Sequence, residues 1–172
     1  MRMPRILKDG ALYHVTARAN RKEMILESGS VKDLLLGIIK RAKRKFKFRI
    51  ENFSIMGNHF HILIRPGRGA SLSSIMQWIL SVFAMSYNRT KALTGHVWGE
   101  RFFSRIVEDF SEFVAVFGYI DENPLKSSQV ARSRDWRHGG LWHDRTGVRD
   151  IIDESSVSVA IIFPEHGQLL LG

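Results

Sequence analysis

Two histidines separated by one residue are the first feature of the chain that suggests chemistry. His59 and His61 flank Phe60 in an otherwise apolar run. In a strand, residues i and i+2 point to the same face, so the imidazoles would lie side by side and Phe60 would face the other way. Paired imidazoles are two ligands of a metal site. The alternative is a pair of half-buried histidines that make hydrogen bonds and hold no metal.

Tyr119 and Asn123 form a second candidate pair, because positions i and i+4 share one face of a helix. A phenolate is a competent nucleophile at phosphorus, and the chain has no cysteine for that role. Attack would give a phosphotyrosine ester and divide one phosphoryl transfer into two reversible steps. A metal on the histidines would polarise the phosphate, with the Asn123 amide oxygen as a third ligand. On spacing alone, the commoner interpretation of such a tyrosine is a core residue whose hydroxyl reaches the edge.

The positive charge of the chain is concentrated in its first part. Residues 1–50 carry 14 basic and 4 acidic residues, residues 51–172 carry 12 and 13, and the formal net charge is +9. This distribution favours a polyanionic partner, with an anionic membrane surface as the rival. The densest stretch, residues 40–49, fits a phosphate-binding patch or else a solvated helix end. Its basic residues are Lys40, Arg41, Lys43, Arg44, Lys45, Lys47 and Arg49.

Four further arginines add charge near the ends of predicted strands: Arg65, Arg68, Arg101 and Arg105. Aromatic residues are interleaved with the last two of them. Aromatic faces beside arginines suit the stacking of unpaired bases, and we count all four arginines as candidate DNA-binding residues. For Phe102 and Phe103, a place in the core is at least as good an interpretation.

The composition excludes several classes of protein. A chain of 172 residues with 44% hydrophobic residues fits one globular domain. The absence of cysteine excludes a disulfide scaffold and a thiolate zinc finger. No apolar run approaches the ~20 residues that span a bilayer, and the N-terminus does not look like a signal peptide. We therefore expect a cytoplasmic protein with no membrane partner.

Hydrophobic periodicity predicts the elements that would position these residues. The predicted order is β-α-β-β-α-β followed by a further helix. This is an α+β, ferredoxin-like arrangement: four antiparallel strands with two helices on one face, plus an additional helix that carries Tyr119. The strands are expected at 11–18, 48–56, 59–64 and within 97–107, and the helices at 30–46, 71–91 and 109–123, with Ser30, Ser71 and Asp109 as caps and Pro124 as the stop.

Two details of this pattern carry further expectations. The strand alternation changes phase once near Asn52, and His14 falls on the first strand as a structural neighbour of the histidine pair. After Ser127 the pattern weakens. The stretch 132–149 would bind nucleic acid or merely cover the sheet, and residues 151–172 would add a strand or stay loose.

The chain contains three recognisable motifs: Gly57–Ile64, Tyr119–Lys126, and Tyr13–Val15 followed by Arg18 and Asn20. Together they resemble the single-tyrosine transposases, whose signature is His-hydrophobic-His (HUH). The run Tyr-Ile-x-x-Asn-Pro is typical of their REP-associated branch. The resemblance covers roughly residues 5–130, so we divide the chain into an HUH transposase domain at 1–130 and a C-terminal extension of unknown role at 131–172.

The resemblance implies a specific activity. Members of that family bind single-stranded DNA, often beside a hairpin, and cleave one strand. The tyrosine becomes linked to the 5′ phosphate and frees a 3′ hydroxyl, which can later rejoin the strand. Carried onto this chain, Tyr119 is the nucleophile, and His59, His61 and Asn123 hold Mg²⁺ or Mn²⁺. The insertion-sequence branch commonly has Gln at the last position and acts as a dimer, so Asn123 leaves monomer and homodimer both open.

Two other functions remain compatible with the sequence. A non-catalytic module could bind single-stranded nucleic acid, RNA included, on a ferredoxin-like sheet. Such a module would not need the histidine pair or Tyr119, which argues against it. A domesticated relative that binds its DNA hairpin without moving it would retain all of these residues, so the sequence does not separate it from an active enzyme.

Overall fold

The computed structural model describes residues 8–155 together with residues 161 and 163. Its four strands form one antiparallel sheet in the order β2-β3-β1-β4, which confirms the ferredoxin-like prediction. The strands are β1 (Tyr13–Arg18), β2 (Phe48–Ile55), β3 (His59–Pro66) and β4 (Phe103–Ile106). The described helices are α1 (Gly29–Lys45), α2 (Leu72–Lys91), α3 (Phe110–Lys126) and α4 (Gly140–Thr146). The expectation for residues 151–172 lies largely outside the described residues.

The two faces of the sheet carry different helices. On one face, the main core packs α1 and α2 against alternate strand residues such as Val15, Phe60 and Ile62. On the other face, a smaller cluster joins Leu63 of β3 to apolar residues of α3, including Ile120. Because side chains alternate along a strand, each strand contributes to both faces.

The predicted change of phase in the second strand is a β-bulge. Ile50 pairs with Ile64, and the next pair is Asn52 with Leu63, so Glu51 is an extra residue in β2. An extra residue reverses the facing of the later residues of its strand. It turns Asn52 towards the face that carries α3.

The helix caps follow the sequence signals with one exception. Ser71 accepts a hydrogen bond from the backbone N–H of Ser74 at 3.2 Å, and Asp109 accepts one from Glu112 at 2.8 Å, as predicted. The Ser30 prediction was wrong, because Ser28 caps α1. Ser28 has an extended backbone and accepts from the Val31 N–H at 3.3 Å, whereas Ser30 already lies within the first turn.

Pro124 does not end α3, contrary to our expectation. The helix continues to Lys126, with Pro124 buried in its last turns. A proline lacks only its own N–H, and its carbonyl still accepts a bond from the Gln129 N–H at 2.9 Å. The Asn123 carbonyl likewise accepts from the Ser127 N–H at 3.0 Å, so the chain stays helical past the proline.

The stretch between residues 133 and 153 covers the outer edge of the sheet. The β2 residue Ile55 donates its N–H to the His138 carbonyl at 2.9 Å, and the Ile50 carbonyl accepts from the Asp153 N–H at 2.8 Å. These contacts occupy edge groups that would otherwise be open to pairing with another chain. They favour sheet covering over nucleic-acid binding for this stretch.

Where α4 begins, the backbone comes very close to β2. Gly140 lies against the Asn52 side chain, and a Cβ atom at this position would clash with that side chain.

Within the described ranges, no helix is long and apolar enough to cross a bilayer.

Candidate active site

The histidine pair lies on the face of the sheet that carries α3. The rings of His59 and His61 have centroids 5.0 Å apart, and Phe60 is buried on the opposite face, as the alternation predicted. The neighbouring strand β1 places Thr16 opposite His61 and Arg18 opposite His59. The sheet therefore presents both imidazoles beside a hydroxyl and a guanidinium.

The hydrogen bonds of the two imidazoles leave one nitrogen of each available. The Nδ1 atom of His61 lies 3.0 Å from Thr16 Oγ1 and 3.0 Å from His14 Nε2. Its Nε2 atom is buried and has no hydrogen-bond partner. His59 donates from Nδ1 to the Asn58 side-chain oxygen at 2.7 Å, which leaves its Nε2 lone pair free.

Burial keeps the three imidazoles of this face neutral. It lowers the pKa of His14 and of His59 to about 4, with further lowering by Arg105 and Arg18 respectively. Burial also lowers the pKa of His61 to about 3, and His59 and His14 add to that effect. A neutral imidazole is the form that binds a metal ion.

The donor set fits a divalent cation of the kind expected. Within residues 8–155, 161 and 163, no three histidine, cysteine or acidic side chains are grouped as a metal site. The ligands expected from the sequence are therefore two imidazoles and the Asn123 amide oxygen, a set that accepts several metals. The orphaned Nε2 of His61 is the observation that favours a bound cation, because a buried polar nitrogen without a partner is costly.

Tyr119 projects from α3 against His61 and His14. Its ring centroid lies 5.3 Å from that of His61 and 6.1 Å from that of His14, and 45% of the residue remains exposed. Lys126 Nζ lies 6.0 Å from the same ring. Asn123 follows one helical turn later and is 9% exposed. The structure therefore brings Tyr119 and His61 together from separate elements of one chain.

Asn52 fastens α3 to the sheet, a role that the sequence did not reveal. Its amide donates to Asp121 Oδ1 at 2.8 Å and to the Phe117 carbonyl at 3.3 Å. Its oxygen accepts from the Phe53 N–H at 2.8 Å. Burial raises the pKa of Asp121, and the Asn52 bond opposes that rise. The phase break near Asn52 was the available signal, because it moved a polar side chain to the α3 face.

An open groove runs beside Tyr119 between α3 and the sheet. Residues of β1 and β4 line the groove on the side of the sheet. Thr16 and Arg18 are lining residues that sequence reasoning missed as site residues, although the polar alternation His14, Thr16, Arg18 along one strand was a usable signal. The lining also includes His14, His61, Phe103, Arg105, Val116 and Tyr119.

Comparisons with known proteins decide the family. The model of the IS200-like transposases matches residues 8–123. The chain belongs to this transposase family. No curated protein sequence shows significant similarity to it.

Two of the matching solved structures show the fold of this chain. A REP-associated tyrosine transposase bound to a REP hairpin matches with a TM-score of 0.73 and 21% identity, over 90% of this chain and 95% of that one. A provisionally assigned transposase from Deinococcus radiodurans matches with a TM-score of 0.50 and 14% identity, over 71% of this chain and 97% of that one.

The basic residues predicted to bind DNA fall into separate groups in the structure. Arg105 lines the groove beside Tyr119. Arg65 extends from the same strand as the histidines and donates to the Gly10 carbonyl at 3.3 Å. Arg68 lies in the turn between β3 and α2, and Arg101 lies just before β4.

The 40–49 cluster belongs to α1 and the start of β2, and α1 packs on the other face of the sheet from Tyr119. Acidic residues of the C-terminal extension neutralise part of it. Lys40 forms an ion pair with Asp150, and Lys43 Nζ lies 2.5 Å from Asp153 Oδ2. The exposed members of the cluster are Arg41, Arg44, Lys45 and Lys47.

Proposed function

We propose that this transposase-family chain is a metal-dependent endonuclease and strand-transfer enzyme for single-stranded DNA. In this proposal Tyr119 is the nucleophile and forms a 5′-phosphotyrosine intermediate. The observation that carries the proposal is the exposed Tyr119 ring beside His61, with an open groove in front of both. Tyr119 keeps 45% of its surface exposed, which would let a substrate phosphate approach it from the groove.

The proposed cleavage step exchanges one phosphate ester for another. The Tyr119 oxygen forms a bond to phosphorus, and the bond from phosphorus to the 3′ oxygen breaks. The phenolic proton passes to solvent, and the departing 3′ oxygen takes up a proton. In the reverse direction, a 3′ hydroxyl attacks the phosphotyrosine and frees Tyr119. The number of phosphate esters does not change, which is why the reaction can run both ways.

The residues fit a divalent cation, for which we propose Mg²⁺ or Mn²⁺. When bound, the cation supplies positive charge to the scissile phosphate. His59 and His61 would hold it through their free Nε2 atoms, and Asn123 would add its amide oxygen. Thr16 and His14 keep the His61 ring oriented through Nδ1, as the outer partners of metal-bound histidines commonly do.

The proposed partner is single-stranded DNA next to a hairpin. A structurally similar transposase was solved with a REP hairpin, and this chain offers Arg18 and Arg105 as cations along the groove. Both histidines and Tyr119 come from one chain, so the proposed site does not need a second subunit. A monomer is therefore sufficient for the step, and a homodimer remains compatible with it.

The test uses DNA hairpins whose single-stranded arms carry random sequence and whose 3′ ends are labelled. With Mn²⁺, we expect the label to move to a protein-sized band on a denaturing gel, because Tyr119 would be joined to the 5′ phosphate of the labelled fragment. The band should disappear in excess chelator. Tight hairpin binding without any adduct in either Mn²⁺ or Mg²⁺ would instead support a domesticated or non-catalytic binding protein.

A further inference from the structure

An exposed aromatic ring stands at the open end of the groove. Phe103 is the first residue of β4, an edge strand, and 62% of its surface is exposed. Its neighbour Phe102 is buried in the main core. The sequence left both phenylalanines open to either role, and the structure separates them.

We propose that Phe103 is a stacking platform for an unpaired DNA base next to the scissile phosphate, an inference that rests on the proposed function of the groove. The ligand class is a nucleobase of single-stranded DNA. Phe103 would position the strand and would take no part in bond making.

The register of the sheet places Phe103 in the same row as a proposed metal ligand. Phe103 pairs with Thr16, and Thr16 pairs with His61. All three side chains therefore point to the α3 face of the sheet. With strands about 4.8 Å apart, Phe103 lies roughly 10 Å from His61 across the sheet. A single nucleotide can cover this distance between its phosphate and its base.

The side chain between them leaves the floor of the groove open. Thr16 is short and lies between Phe103 on the edge strand and His61 on the inner strand. Tyr119 of α3 borders the same groove. A base lying over Thr16 would thus have an aromatic wall on the side away from the proposed catalytic residues.

The charges around Phe103 suit a nucleic-acid strand. Arg105 points to the same face two residues along β4; it forms an ion pair with Glu112 at 3.1 Å, and about half of its side chain stays exposed. Arg18 lies two residues beyond Thr16 on β1. Cations on both sides of an exposed ring provide phosphate contacts for the nucleotide whose base stacks on it. An apolar protein partner would gain nothing from these charges.

The experiment uses a DNA hairpin with a single-stranded thymidine arm that contains one 2-aminopurine, moved through every position of the arm in turn. Chelator is present so that no cleavage occurs. The fluorescence of 2-aminopurine falls when the base stacks on an aromatic ring. The proteins compared are the wild type, Phe103→Leu and Phe103→Trp. The control is Met85→Ala, which alters a side chain of similar exposure (64%) on α2.

With saturating wild-type protein, we expect quenching at one or two adjacent arm positions. Phe103→Leu should abolish that quenching and weaken hairpin binding roughly five- to one-hundredfold, the range for loss of one base–aromatic stack. Phe103→Trp should retain both, and Met85→Ala should behave as the wild type. An abasic site at the quenched position should weaken binding of the wild type and leave Phe103→Leu unaffected.

Two results would overturn the inference: no position-specific quenching with the wild type, or an unchanged profile in Phe103→Leu. The adduct assay on the random-sequence hairpins described above separates this failure from failure of the proposed function. An adduct with no dependence of quenching on Phe103 would refute only the stacking platform. Quenching that depends on Phe103 without any adduct would refute the role of Tyr119 as nucleophile and would still support base stacking on Phe103.

Discussion

The two faces of one sheet do different work in this molecule. The face under α1 and α2 buries apolar side chains of β1, β2 and β3, among them Val15, Phe53 and Phe60. The face under α3 has an apolar cluster towards one end, and beyond that cluster it carries His14, Thr16 and His61. Strand alternation lets each strand stabilise the fold with one set of side chains and present chemistry with the other. The comparison can be tested by substitutions that should affect only one face.

The largest expected effect concerns the reaction alone. Tyr119→Phe should abolish the covalent protein–DNA adduct, because it removes the only atom proposed to attack phosphorus. Hairpin affinity and thermal stability should stay close to those of the wild type, since the ring and its contact with His61 are kept. The measurements are the 3′-label adduct gel and a binding titration. An adduct that persists in this variant would place the nucleophile elsewhere.

Adjacent residues of β3 provide the sharpest contrast between the faces. Phe60→Ala should lower the free energy of unfolding by about 3–5 kcal/mol, because it leaves a cavity in the main core. His61→Ala should cost far less stability and should abolish Mn²⁺-dependent adduct formation. Denaturant unfolding and the adduct gel measure the two effects. Similar losses of stability in both variants would contradict the division of labour between the faces.

Asn52 connects the sheet to the helix that carries Tyr119. Asn52→Leu should destabilise the protein by about 2 kcal/mol, because Asp121 and the Phe53 N–H would lose a buried hydrogen-bond partner. The pKa of Asp121 should rise further, since the bond that opposes its rise would be lost. Thermal unfolding measures the stability. Asn88→Leu, in a side chain that bonds an exposed carbonyl, is the matched control and should be nearly neutral.

Removal of the Thr16 hydroxyl, which contacts His61, should have a smaller effect that is limited to metal affinity. Thr16→Val keeps the shape of the side chain but removes its contact with His61 Nδ1. We expect Mn²⁺ affinity to fall about tenfold, the lower end of the range for outer partners of metal ligands. Calorimetric titration with Mn²⁺ on the DNA-free protein measures it. Thr90→Val, on the exposed side of α2, is the control, and equal affinities in the two variants would remove Thr16 from the site.

The smallest expected effect concerns the basic cluster on the far side of the molecule. If Arg44 contacts a DNA phosphate, Arg44→Ala should lower the slope of log affinity against log salt by about 0.7–0.9. Lys43→Ala should leave the slope unchanged, because Lys43 is already held by Asp153. Hairpin titrations at several salt concentrations measure both. A slope unaffected by Arg44 would remove that residue from the DNA path.

The features that the sequence predicted well depend on short-range periodicity. The facing of His59, Phe60 and His61 follows from strand alternation, and the shared helix face of Tyr119 and Asn123 follows from helical spacing. The approach of Tyr119 to His61 was less accessible, because it depends on how α3 packs against the sheet. There the family resemblance, more than periodicity, pointed to the pairing.

The details that the sequence did not predict involve contacts over long separations or competing local signals. The partners of Lys40 and Lys43 come from Asp150 and Asp153, more than a hundred residues later, and no local pattern announces such pairs. At α1, Ser28 and Ser30 are both good caps, and only the backbone geometry decides between them. Pro124 is a stop signal by composition, but the carbonyls around it still find donors.

Through the close approach of Gly140 to Asn52, the C-terminal stretch contacts the residue that anchors α3 to the sheet. Any larger residue at this glycine would push against the amide that anchors α3, and the displacement would pass along the helix to the phenol. A position well outside the three sequence motifs thus bears on where the proposed nucleophile lies. If the proposed function holds, we expect exchange of the C-terminal stretch between relatives to alter reaction rates without changing any residue proposed to contact DNA.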